Sequence, residues 1–120
     1  MTDNRFPKDW RLLKSPEFAA VFDRKCSVAD DLLVMYVAPN DLAHPRLGLV
    51  VSRKVGPAVT RNLWKRRLRE AYRLNKDDLP QGVDLLVLPR RGATPDFDRL
   101  MKSLPRLANR ATKKLKRSKT

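Results

Sequence analysis

The sequence is poor in the groups on which most protein active sites are built. It has one cysteine, Cys26, so no internal disulfide can form and the chain suits a reducing cytoplasm. With no basic partner nearby in sequence, Cys26 reads as a small core residue. There is one histidine, His44, in a turn beside Pro45 and expected to be exposed, whereas metal-independent acid–base catalysis commonly uses a pair of imidazoles. Four glycines lie scattered, and none forms a glycine-rich phosphate loop. The adjacent acids Asp30-Asp31 and Asp77-Asp78 diverge in either a strand or a helix, so neither pair makes a nuclease metal site. These absences leave no catalytic residue and no metal ligand to nominate. The longest apolar run, "LLVMYVA" (32–38), is far short of the ~20 residues that span a bilayer. No basic segment followed by an apolar stretch opens the chain, so no secretory signal is expected.

What is abundant is positive charge. Lys and Arg number 27 against 13 Asp and Glu, a formal net charge of +14 over 120 residues. That excess weakens a compact state by self-repulsion and favours a polyanionic partner, nucleic acid or an anionic membrane surface. A hydrophobic fraction of 42% supports a globular fold, and the length suits one domain over residues 1–120. A chain of this size buries roughly two thirds of the surface it exposes when unfolded, so it needs no disulfide or metal staple.

Ser15-Pro16-Glu17 reads as a cap, a proline at the first helical position and an acid in the first turn, opening a helix over about 15–24. Phe18 and Phe22 share one of its faces. Continuous apolar runs at 32–38, 46–52 and 83–88 read as strands covered on both faces, and "SVAD" (27–30) as a short extra strand. A helix over about 60–75, capped by Thr60 or the preceding loop, joins the last two runs, so these strands are expected to be parallel. A final helix starts after Pro95-Asp96 and runs to about 113, with Pro105 expected to kink it or split its first turn. Residues 1–13 and 114–120 are expected to be flexible.

The segment "TRNLWKRRLREAYR" (60–73) carries six Lys and Arg against one Glu. On a helical wheel Leu63, Trp64, Leu68, Ala71, Tyr72 and Leu74 fall on one side, and Asn62, Lys65, Arg66, Arg69 and Arg73 on the other. Arg67 points into the apolar arc and must snorkel or find an acid. Glu70 is placed to pair with Arg66. A solvated outer face ordinarily mixes signs, because like charges one turn apart cost a few tenths of a kcal/mol. This nearly single-signed, Arg-rich row suits phosphate, and Arg53 and Lys54 extend it toward the helix start. Duplex DNA is the weaker partner, since Asn62 alone is an obvious base reader.

The stretch "SRKVGPAVTRNLWKRRLREAYR" (52–73) resembles the signature of the bacterial ribonuclease P protein subunit, in which an Arg-Asn-Arg motif precedes further cations one and two turns on. Arg61, Asn62, Lys65, Arg66 and Arg69 match it, while Leu63 replaces the usual third arginine and is expected to join the core. Residues 11–30 resemble the family's first helix and "LLVMYVA" its second strand. The resemblance implies an α+β domain of order α-β-β-β-α-β-α, ribosomal protein S5 domain 2-like, with a four-stranded sheet and a left-handed crossover. It implies RNA binding by Arg53, Lys54, Arg61, Asn62, Lys65, Arg66, Arg69 and Arg73. It also implies a cleft of Phe18, Phe22 and Tyr36, with Lys14 at its edge, for the single-stranded 5′ leader of precursor tRNA. The cutting centre is expected in the catalytic RNA with its Mg2+, no cofactor being held by the protein alone, and no membrane contact or obligate protein partner is expected. A structural RNA-binding protein, such as a ribosomal protein with no part in tRNA maturation, is the alternative.

Overall fold

The structure, a computed structural model, describes residues 15–117. The expected order is present: α1 (Ser15–Asp23), β1 (Ser27–Ala29), β2 (Leu33–Pro39), β3 (Arg46–Leu49), α2 (Ala58–Leu74), β4 (Val83–Pro89) and α3 (Phe97–Arg117). The four strands form one sheet in the order β1-β2-β4-β3. β2 is antiparallel to both β1 and β4, and β3 runs parallel to β4. The parallel pair is the one joined through α2, as a strand–helix–strand crossover requires.

The period of two along the strands divides the interior into two layers. Leu33, Met35 and Val37 of β2 and Val83, Leu85 and Val87 of β4 pack with Trp64, Leu68 and Ala71 of α2 and Leu100, Leu104, Leu107 and Ala111 of α3. On the other sheet face Ala38 and Leu86 meet Val21 of α1, with Phe18, Phe22, Tyr36, Val50 and Leu88 half-buried around them. Helices on both faces explain the unbroken apolar runs of β2 and β4.

Several boundaries differ from expectation. The run 46–52 pairs as a strand only to Leu49, after which Arg53–Val55 form a 3-10 turn. Past the strand's end the Val50 N–H still donates to Val87 O of β4 at 3.0 Å, and Val50 and Val51 pack into opposite layers. Gly56 (φ 153°) then turns the chain into α2, where an added Cβ would stand 3.1 Å from Thr60. The helix therefore begins at Ala58 behind Pro57 with no side-chain cap, and Thr60 lies inside it.

α3 passes through Pro105 without ending, and it continues past residue 113 to Arg117 because Leu115 still has a core position. Pro105 has no N–H to give to the carbonyl four residues back, Met101. The buried Asn75 supplies it instead: its Nδ2 donates to Met101 O at 3.1 Å and to Ala71 O at 3.0 Å. One amide thus replaces the missing donor of α3 and caps the C-terminus of α2.

Candidate nucleic-acid interface

Trp64, Leu68, Ala71 and Tyr72 anchor one side of α2 in the core. That anchoring turns Asn62, Lys65, Arg66 and Arg69 outward along one flank, with Asn62, Arg66 and Arg69 exposed and Lys65 half-buried. None of the four forms an ion pair or side-chain hydrogen bond among the described residues. Arg53 and Lys54 are exposed in the 3-10 turn before the helix, which places them by its first turn.

The remaining members of the row behave differently. Arg61 is half-buried, with its Nε enclosed and without a hydrogen-bond partner among the described residues. Glu70 does not pair with Arg66; it takes Arg73 as an ion-pair partner one turn on. The hydrogen bonds that Arg73 donates to the Glu70 carboxylate raise the Arg73 pKa and tie up this cation. Both partners are on the helix surface, and an acid between two cations can turn toward either. Arg67 finds a carbonyl rather than an acid, donating to Pro95 O at 2.6 Å at the entry to α3.

Leu63 is not absorbed into the core. It is half-buried and, with Val59, Asn62 and Arg66, lines a shallow groove of about 360 Å³. Val59 is 81% and Leu74 51% exposed, so the buried arc of α2 is narrower than its hydrophobic residues suggest.

On the opposite sheet face, α1 and the strands gather a partly exposed aromatic cluster. The Phe22 and Tyr36 rings meet edge to face with centroids 4.8 Å apart. Phe18, Phe22 and Tyr36 share this cluster and each stays partly open to solvent, and Lys14 lies outside the described residues. Arg46 of β3 bridges α1 and the sheet on this face. Its Nε and one terminal nitrogen both donate to the Asp84 carboxylate at 2.8 Å, and the other donates to Glu17 of α1 at 2.7 Å. Asp84 also accepts from Asn40 Nδ2 at 2.7 Å. The Asp84 hydrogen bond raises the Arg46 pKa over the opposing effect of partial burial. The network ties the first turn of α1 to the sheet.

The family model for ribonuclease P matches residues 6–112. The chain belongs to the ribonuclease P protein family. It is 40% identical over 106 residues to the ribonuclease P protein component of Clostridium botulinum (strain Loch Maree / Type A3), covering 87% of this chain and 96% of that one. It is 37% identical over 100 residues to the component from Thermotoga maritima, covering 83% and 85% of the two chains. The solved RNase P protein from Thermotoga maritima superposes with a TM-score of 0.77 at 34% identity, covering 83% of this chain and 96% of that one. The Staphylococcus aureus RNase P protein gives 0.75 at 32%, covering 85% and 94%.

Two further members of the aromatic cluster, Val50 and Leu88, were not visible as such in the sequence. They belong to continuous apolar runs, and only the strand register shows that they share the open side with Tyr36. His44 is half-buried, with Nδ1 3.0 Å from Pro45 O. Cys26 is buried in the core. Among the described residues no group of three or more His, Cys, Asp or Glu could hold a metal ion, and no helix is long and apolar enough to cross a membrane.

Proposed function

We propose that this protein grips the catalytic RNA of ribonuclease P along the α2 row and receives the 5′ leader of precursor tRNA in the α1–sheet cleft. Family membership makes the chain the protein subunit of an endoribonuclease that matures tRNA 5′ ends. The row of Asn62, Lys65, Arg66 and Arg69 carries the first part of the reading, because it faces outward, with only Lys65 half-buried, and is almost single-signed and without acidic partners among the described residues. Guanidinium forks contact phosphate oxygens in pairs, and each neutralised phosphate releases counterions. The aromatic cleft supports the second part, since ring faces stack on unpaired bases without demanding a sequence. In this reading the bond is cut in the RNA, with Mg2+ bound there. The chain supplies charge neutralisation, leader binding and substrate selection, and works in the cytoplasm.

Reconstitution with a bacterial ribonuclease P RNA at low Mg2+ tests this. The protein alone is expected to leave precursor tRNA intact and, when added to the RNA, to lower the Mg2+ needed for cleavage. Cleavage at low Mg2+ that is indifferent to the protein refutes the reading. Replacing Lys65, Arg66 and Arg69 with Ala is expected to weaken RNA binding and flatten its log–log salt slope by roughly 0.7–0.9 per lost contact.

A further inference from the structure

A second cationic row lies on α3, on the face turned away from the sheet. Arg99, Lys102, Arg106, Arg110, Lys113 and Arg117 are all exposed. At 100° per residue they fall within roughly 80° of arc and extend for about 27 Å along the helix. From residue 99 to residue 117 there is no Asp or Glu. Arg99 pairs with Asp31 at 2.7 Å, and Arg106 stands 3.6 Å from Asp30. Lys102, Arg110 and Lys113 make no ion pair or side-chain hydrogen bond among the described residues. Like charges at successive turns repel, and a face required only to be soluble would intersperse acids.

We propose that this row is a second phosphate-binding surface, which holds a segment of the catalytic RNA separate from the one on α2. This rests on the function proposed above. The two rows cannot share one strand lying between the helices, because each faces away from the other helix. Arg67 of α2 reaches Pro95, and Met101 of α3 meets Asn75. Each row lies roughly 140–150° around its helix from that contact position. α3 shares a sheet face with α2 and is opposite the aromatic cleft, which favours the catalytic RNA over the leader as its occupant. A membrane is disfavoured, because a surface-lying helix must offer its apolar side, and Leu100, Leu104, Leu107 and Ala111 are fully buried.

The test uses the full chain with Lys102, Arg106, Arg110 and Lys113 changed to Gln, all on the exposed face. Affinity for a bacterial ribonuclease P RNA is measured without substrate across monovalent salt, beside the Lys65, Arg66 and Arg69 variant. The expected result is a log–log slope flatter by roughly 2–4, at about 0.7–0.9 per contact, in addition to the loss from the α2 variant. Arg106→Lys with Arg110→Lys keeps the charge and is expected to keep the slope. If it loses slope as the Gln variant does, altered helix packing is the cause and the proposal falls. An unchanged slope in the α3 variant beside a reduced one in the α2 variant overturns this inference and leaves the proposed function standing. Unchanged slopes in both overturn the proposed function as well. A loss confined to precursor tRNA, or to vesicles of anionic phospholipid, assigns the row to another partner and overturns it too.

Discussion

The passage of α3 through Pro105 supports a double-mutant experiment on Asn75. If Asn75 stands in for the missing N–H of Pro105, Asn75→Ala removes two hydrogen bonds and leaves the Met101 carbonyl without a donor. A lost bond that leaves a partly buried polar group unsatisfied costs about 1–3 kcal/mol. The Ala71 carbonyl also accepts from the Asn75 backbone N–H at 3.1 Å, so its loss weighs less. The sum is about 2–3 kcal/mol, measured by urea unfolding followed by circular dichroism. Pro105→Ala restores a helical N–H within reach of Met101 O. In that background Asn75→Ala is expected to cost at least about 1 kcal/mol less, above the ~0.3–0.5 kcal/mol by which independent sites depart from additivity. Equal costs in the two backgrounds would show that the Asn75 amide does not replace the helical donor. The result also bears on RNA binding, because the α3 row keeps its line only while the helix stays continuous at Pro105.

Two further predictions concern the same framework. Asp30 accepts from the amides of Leu32 and Leu33, each at 2.8 Å, and from Ser103. Partial burial opposes ionisation, but these bonds and the Arg106 charge together hold the carboxyl below its ordinary value. A depressed folded-state pKa gives stability that is present above the unfolded value, near 3.9, and lost as pH falls through the folded one. Asp30→Asn is therefore expected to destabilise by about 1 kcal/mol at pH 7, with the gap to wild type closing below about pH 4 in thermal melts. In the cleft, Phe18→Ala with Phe22→Ala is expected to weaken binding of precursor tRNA with a long leader by about tenfold or more, at about 1–3 kcal/mol per stacked base. Affinity for leaderless tRNA should not change, and equal losses for both substrates would remove the leader from the cleft.

The amphipathic division of α2 could be read from the sequence because helical period alone fixes which residues are opposed. Trp64 and Leu68 are buried, and Asn62, Lys65, Arg66 and Arg69 face outward. What period cannot fix is a choice between partners at equal distance. Glu70 can reach a cation a turn behind or a turn ahead, and the wheel does not separate Arg66 from Arg73. Nor does hydrophobicity mark where a buried arc ends. Leu63 and Leu74 lie at its edge, where the neighbouring elements decide, and both retain solvent contact.

The errors of boundary have one physical origin: apolar character reports burial, whereas an element's end reports hydrogen bonding. Val50 and Val51 are half-buried and so look like strand, yet β3 ends at Leu49 with one last bond from the Val50 N–H to Val87 O. Leu115 sits in a tail of lysines that reads as frayed, but one buried leucine adds roughly 1.5–3 kcal/mol of transfer free energy, enough to hold another helical turn. Pro105 is the converse case. A local rule predicted a kink or a split first turn; the helix runs on, and a residue 30 positions earlier in sequence supplies the missing bond. Such compensation is encoded in the pairing of Asn75 with Met101, and no window along the chain contains both.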